Sequence, residues 1–429
     1  PRPESERAPG TIAPLRVSEL DYHLPARLIA TSPAEPRESA RLLVVDRASR
    51  TIAHRRIGDL PQLLRSDDTL VFNTTTVLAA RLIARRSSGR CFEGLALGPV
   101  ARMLAHGSGL GEEAAMGAER AGAHSADPRW RVLFRGSSRL HVGERIELVA
   151  ADGTTHGDCV ELSSRDGEAW LVEFVGGDGT RDARAILDRS GRVPLPPYIR
   201  RARAESGVPS NAQVSADDEP AIASAASAQA DDPRDRRWYQ TVFADPSQAG
   251  SVAAPTAGLH FTPELLRSLA ARGVGRIDVT LHVGMGTFKP VASETLEDHP
   301  MHAEWFEVGA AAQQALLARK AAGTRVIAVG TTSARALESL PDVSSGSSLE
   351  AFGDAAPHQP IFGETRLLIA PGHRWQHVDG LLTNFHLPRS TLLALVAGLI
   401  DLPWLKEIYR EAIEREYRFY SYGDAMLVL

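Results

Sequence analysis

Five strings in the second half of the chain gather side chains able to shuttle protons, hold anions or bring bare backbone close to a ligand. The first, GSVAAPTAGLHF (250–261), pairs small residues, among them Thr256 and Gly258, with His260. Thr262 and Pro263 follow as a helix cap and first helical position, and the N–H groups of a helix start suit a carboxylate or phosphate. In TLHVGMGTF (280–288) an apolar strand carries His282 into Gly284, Gly286 and Thr287. That Gly-x-Gly lacks the third glycine and the following helix of a dinucleotide loop, so it is a weak signal. His260 and His282 read equally well as satisfied core histidines. VIAVGTTSAR (326–335) is a buried strand, then Gly330, Thr331, Thr332 and Ser333 at a helix start, with Arg335 one turn in. Hydroxyls and free N–H groups there can hold an anion, and Arg335 can clamp a carboxylate through two nitrogens. Plain N-capping by Thr332 or Ser333 explains the same residues. LLTNFHLPRST (381–391) sets Asn384, His386 and Arg389 in a polar segment between a strand and an apolar helix over 391–400, where hydrogen-bonding groups more often serve function than packing. The C-terminal FYSYGDAMLVL places Tyr420, Tyr422 and Asp424 before a final buried strand, and Asp424 also reads as a turn residue.

Other chemistries fit less well. HPMHAEW (299–305) offers His299, His302 and Glu304, but the spacing is not that of a zinc helix and no third ligand is signalled, so a surface turn is the expectation and no metal is assigned. Neither a Gly-x-Ser-x-Gly elbow nor a Gly-x-x-x-x-Gly-Lys phosphate loop occurs, which disfavours serine hydrolases and P-loop NTPases.

The elements that must position these strings alternate in type. RLLVVD (41–46) and TLVFN (69–73) read as buried strands, with a short helix over 57–64 between them. From about 79 to 188 the pattern changes to short alternating segments such as WRVLFRG, RIELVA, CVELSS and AWLVEFV, the mark of a small antiparallel barrel or sandwich. After 193 helices alternate with strands, notably a helix over 262–272 and strands RIDVTLHV and RVIAVGT. The economical topology is an α/β domain, residues 1–78 and 191–429, interrupted by an all-β insertion, residues 79–190.

At 429 residues and 46.2 kDa the chain exceeds what one core usually organises, in line with two domains. The longest apolar stretch, near 392–402, is broken by Gly398 and Asp401 and is too short to span a membrane. Pro1–Pro14 carries no export signal, and Cys91 and Cys159 make no disulfide framework, so a cytoplasmic setting is expected. Three low-complexity stretches, 103–127, 204–233 and 341–360, read as solvated loop insertions. They carry −3, −6 and −3 of the net −5, which leaves +7 on the rest. A mildly basic remainder permits nucleic-acid contact through Arg81, Arg85, Arg86 and Arg90 or through Arg200, Arg201 and Arg203, although solvated surface arginines explain these runs too.

The five strings, together with SELDYHLPARLIATSPAEPRESARLLVV (18–45), VPLPPYIRR (193–201), DRRWYQTVFA (235–244) and HPMHAEW (299–305), closely resemble the S-adenosylmethionine:tRNA ribosyltransferase-isomerases of queuosine biosynthesis. The matches are colinear from about residue 15 to the end and are broken only at the low-complexity stretches. The resemblance implies an α/β domain interrupted by a six-stranded antiparallel β-barrel. It also implies an enzyme that moves the ribosyl moiety of S-adenosylmethionine onto the aminomethyl group of 7-aminomethyl-7-deazaguanine at the tRNA wobble position. The product would be epoxyqueuosine, with adenine and methionine released. S-adenosylmethionine is then a co-substrate, no prosthetic group is needed, tRNA is the partner, and a monomer is expected.

Such chemistry asks for a base to take the proton that the sulfonium acidifies at the ribose 5′ carbon, and His260, His282 and His386 are the candidates. Asn384 or Asp424 would serve the departing adenine, and Arg335 or Arg389 with Thr331 and Thr332 the methionine carboxylate. Thr256, Gly258, Gly284, Gly286 and Thr287 complete the donor site. Tyr198, Tyr239 or Tyr422 would stack on the modified base, with Arg81 and Arg200 toward the RNA. One departure stands out: where the family commonly has Asn-Asp-Thr-Arg-Val before the barrel, this chain has NTTTV (73–77), and Arg81 could take over a lost role. The acidic stretch 204–233 is expected to point away from the tRNA. The rival readings are a non-enzymatic RNA-binding protein using the barrel and an S-adenosylmethionine-dependent methyltransferase.

Overall fold

The computed structural model describes residues 14–100, 127–206, 233–284, 291–341 and 359–429. The three low-complexity stretches fall almost wholly outside these residues, and so do Gly286 and Thr287.

Near-continuous apolar runs need cover on both faces, and the chain supplies it. Nine strands form one mixed sheet, in the order 361–365, 304–308, 275–281, 69–73, 326–329, 380–384, 425–428, 41–46 and 51–56. Its centre is parallel: Thr69–Asn73 lies between Gly275–Leu281 and Val326–Val329, and the latter pairs with Gly380–Asn384. Alternate side chains go to opposite faces. Leu43, Val71, Ala328, Leu381 and Met426 enter one core, and Leu42, Leu70, Ile327, Leu382 and Leu427 the other. Three helices continue the strings singled out by sequence. Helix α1, Pro263–Ala271, starts where the sequence places it, with Thr262 Oγ1 accepting from Leu265 N at 3.2 Å. Helix α2, Thr331–Glu338, leaves the end of the central strand 326–329, and α3, Thr391–Leu399, is capped by Ser390.

Strands 81–85, 91–99, 130–134, 145–148, 159–166 and 169–175 close into a six-stranded barrel in which every pairing is antiparallel. Closure removes the exposed sheet edges that six short strands would otherwise present. Its interior is filled by Leu82, Phe92, Val132, Ile146, Val160 and Trp170. The chain enters the barrel directly from the central strand 69–73, through Thr76–Val77, which pairs in parallel with Ala249–Ser251. It returns past an Arg81–Arg192 bridge. The fold is thus an α/β layered structure with an antiparallel barrel inserted after one of its central strands. No helix among the described residues is long and apolar enough to cross a membrane.

Candidate active site

Open α/β sheets bind ligands at the carboxyl ends of their parallel strands, because there the chain turns away and leaves backbone groups and loop side chains facing a crevice. Three parallel strands end that way here. Val283 follows strand 275–281, Gly330 to Thr332 follow 326–329, and Thr383 to Leu387 run off 380–384. These residues, with Ala254 to Ala257, Tyr198, Tyr420 and Ser421, line one hollow of about 540 Å³ that is partly open to solvent. All five strings therefore contribute lining residues there, the TLHVGMGTF string through Val283.

Gly330 makes the sharp exit from the central strand. Its φ of +92 and ψ of 154 belong to a region that only glycine enters readily. Neither Thr332 nor Ser333 caps α2, contrary to the capping expectation. Gly330 holds the N-cap position, Thr331 to Ser333 are already helical, and Ser333 Oγ donates to Val329 O at 2.9 Å. Among the described residues the N–H groups of the first turn thus have no side-chain cap, and the buried Thr332 Oγ1 has no hydrogen-bond partner. A helix start with orphan donors and an unspent hydroxyl beside a hollow is an anion-receptive corner.

The three histidines separate clearly. His386 lines the hollow, with Nε2 at 2.7 Å from Thr383 Oγ1, while its Nδ1 makes no hydrogen bond among the described residues. Burial pushes its pKa down to about 3, so the ring is neutral. Two tyrosines fix its backbone: Tyr22 Oη donates to His386 O, and Tyr409 Oη accepts from His386 N at 3.0 Å. His260 does not line the hollow. Its ring nitrogens face Ala257 O at 3.0 Å and Gly423 O at 2.9 Å, so it braces the 256–260 turn against the C-terminal segment. Burial lowers its pKa as well. His282 has Nδ1 at 2.8 Å from Thr75 Oγ1 and stacks on Trp305 at 5.0 Å, again outside the hollow. The NTTTV segment is what holds it, since Asn73 bonds both N–H and C=O of Leu281 and Thr75 reaches the imidazole.

The other candidates also divide. Thr256 Oγ1 donates to Asn384 Oδ1 at 2.9 Å, and Asn384 Nδ2 donates to Tyr420 O at 3.0 Å, a chain that ties three lining residues together. Gly258 serves packing, because a Cβ there would meet Phe243 at 2.6 Å. Gly284 N donates to Glu304 Oε1 at 3.1 Å, and Glu304 is ion-paired with Arg335, so this trio lies beside the hollow instead of in it. His299, His302 and Glu304 do not form a mere surface turn: Glu304 is buried, and all three line a second hollow with Arg335. Arg389 is exposed, adopts a φ of 55 and lines neither. Asp424 accepts from Arg41 N and Arg418 N, both through its carboxylate, and acts as the turn residue. Of the tyrosines, Tyr198 lines the hollow and contacts Tyr420 at 4.7 Å between rings. Tyr422 is spent on Asp235, and Tyr239 lines a separate crevice near the barrel entry, with Val77 and Arg236. Arg81 and Arg200 both pair with Glu93, Arg85 with Glu147 and Arg86 with Glu144.

Thr383, Tyr420 and Ser421 line the hollow although residue type and spacing assign them no role there, and Tyr22 and Tyr409 hold the His386 backbone through their hydroxyls. Tyr420 reaches it through a φ of 72, rare for a bulky side chain. Spacing carries no trace of such a dihedral.

A profile of the family described as "Queuosine biosynthesis protein" matches residues 17–428. The chain is 43% identical over 409 residues to an S-adenosylmethionine:tRNA ribosyltransferase-isomerase of Gloeobacter violaceus, covering 95% of this chain and 94% of that protein. A protein of the same name from Rhizorhabdus wittichii is 39% identical over 415 residues, covering 97% and 99%. Among solved structures, the S-adenosylmethionine tRNA ribosyltransferase of Thermotoga maritima is 27% identical with a TM-score of 0.45, covering 96% of this chain and 100% of that one.

Proposed function

Since the chain belongs to the queuosine biosynthesis family of S-adenosylmethionine:tRNA ribosyltransferase-isomerases, we propose that the hollow at the strand ends is where it opens and transfers the ribosyl group of S-adenosylmethionine. The acceptor is the aminomethyl group of 7-aminomethyl-7-deazaguanine in the tRNA anticodon, and adenine and methionine leave. The observation that carries this reading is the convergence of Thr256, Thr331, Thr332, Asn384 and His386 on one hollow beside an aromatic wall of Tyr198 and Tyr420.

The chemistry follows from those groups. The sulfonium acidifies the 5′ carbon, and His386 Nδ1 is the ring nitrogen left open to take that proton. An imidazole kept neutral by burial is weakly basic at rest. Negative charge appearing on the opening sugar favours its protonated form at the moment of transfer. The same charge is met by the N–H groups of Thr331 and Thr332, which no side chain caps, and by Thr332 Oγ1, which is buried without a partner among the described residues. The glycosidic electron pair leaves with adenine, which takes up a proton. Methionine leaves later as a thioether when oxygen displaces it to close the epoxide. Tyr198 offers a face on which the unstacked tRNA base can lie.

The test is incubation with S-adenosylmethionine and tRNA bearing the aminomethyl base, followed by quantitation of free adenine. Adenine release by the wild type, reduced by about 10²-fold or more in His386→Ala, is the expected outcome. Formation of S-adenosylhomocysteine would mean methyl transfer, and tRNA binding without either product would mean a binding protein.

A further inference from the structure

S-adenosylmethionine is two chemically different pieces joined at sulfur, and among the described residues no arginine or lysine lines the strand-end hollow to receive the carboxylate of its methionyl piece. A second hollow of about 460 Å³ adjoins it, and Leu392 lines both. Its walls are Leu367, Leu368 and Leu395, with Glu304 and Arg335 among its lining residues. The Arg335 side chain is only 7% exposed. Nη1 pairs with Glu304 and Nε donates to Leu367 O at 3.2 Å, while Nη2 has no acceptor among the described residues. Buried guanidinium nitrogens are normally satisfied, so one on the lining of a hollow with no acceptor among the described residues suits an anionic ligand. The same helix serves both hollows, because Thr331 and Thr332 lie four and three residues before Arg335 and share its face.

We propose that the second hollow is the methionyl subsite, with the α-carboxylate on Arg335, the thioether chain against Leu367, Leu368 and Leu395, and the sulfonium at Leu392. Glu304 supplies the negative charge that an α-ammonium seeks. This inference rests on the ribosyl-transfer reading and adds to it where the donor's amino-acid end lies.

The experiment uses tRNA-loaded enzyme and the adenine-release assay, with L-methionine, L-methionine methyl ester and adenine as inhibitors against S-adenosylmethionine. Leu368→Trp fills the hollow from its half-buried rim, and Arg335→Gln removes the cation. The expected result is a rise of at least tenfold in KM for S-adenosylmethionine and in Ki for L-methionine in both variants. The Ki for adenine should stay within twofold. On the wild type the methyl ester should inhibit at least tenfold more weakly than L-methionine. Unchanged methionine inhibition in Leu368→Trp, equal inhibition by acid and ester, or parallel loss of adenine inhibition would each overturn the subsite. Absence of adenine release by the wild type would instead defeat the underlying activity, so the two failures are told apart. Should Arg335→Gln not fold, the Leu368→Trp and methyl-ester comparisons decide alone.

Discussion

At the level of single residues, the histidines show what spacing can and cannot convey. All three stand in polar strings at strand ends, and the content of those strings is legible in the sequence. Which ring is open to the hollow depends on its partners, and for two of the three these come from distant chain: Gly423 for His260 and Thr75 for His282, against the nearby Thr383 for His386. The neutral state of His386 has a consequence for stability. The unfolded chain binds a proton on this imidazole near about pH 6.5, whereas the folded chain resists until about 3. Between those values the unfolded state holds more protons, so stability falls as pH is lowered through that window. Denaturant melts of wild type and His386→Gln at pH 7 and pH 4.5 should show a smaller acid loss in the variant. Thr332→Val keeps the shape of α2 but removes the unspent hydroxyl, and adenine release should fall by about tenfold or more with little change in melting temperature, as expected for a donor used only when charge develops.

Among the elements, the α/β strands and the cap of α1 are readable because each carries a local signal: an apolar run, or a Thr-Pro pair. The start of α2 is not, since Thr332 and Ser333 are good caps by type and only the glycine dihedral moves the cap earlier, to Gly330. The barrel is visible as alternation, but its closure is not, because closure is a pairing between strands 159–166 and 169–175 and strands that precede them in the chain. One clasp secures its exit. Asp158 is fully buried and accepts from Arg189 Nε and Nη2 at 2.9 and 2.6 Å, from Ser190 Oγ at 2.5 Å and from Gly177 N at 3.2 Å. Burial by itself would raise its pKa, but these donors outweigh it and hold the carboxyl below its usual range. Its contribution is complete above the ordinary carboxylate range and is lost as pH falls through the lower folded value. Asp158→Asn should cost about 3 kcal/mol, measured by urea unfolding at pH 7, with the difference from wild type shrinking toward pH 3.

For the molecule as a whole, two layers around a mixed sheet plus an inserted barrel can be anticipated from the change of texture near residue 79. The placement of the hollow cannot, since it needs the order of the strands. Strand 69–73 lies about 200 residues or more before strands 275–281, 326–329 and 380–384, and its place among them is a product of packing. Replacing residues 207–232 with a short Gly/Ser linker should leave adenine release within twofold of wild type, and a large loss would show that this stretch serves the tRNA.

The flanks of that stretch are buckled to each other. Arg203 meets Asp235 through two contacts of 2.6 and 2.9 Å, its Nε and Nη2 also reach Thr31 O, and Tyr422 adds a third bond to Asp235. With residues 203 and 235 fastened to one another and to the N-terminal and C-terminal segments, the scaffold is expected to tolerate a change in the length of chain between them. A fluorescent protein or an affinity handle could be spliced in at that buckle, reporting on the enzyme while leaving its interior geometry as it is.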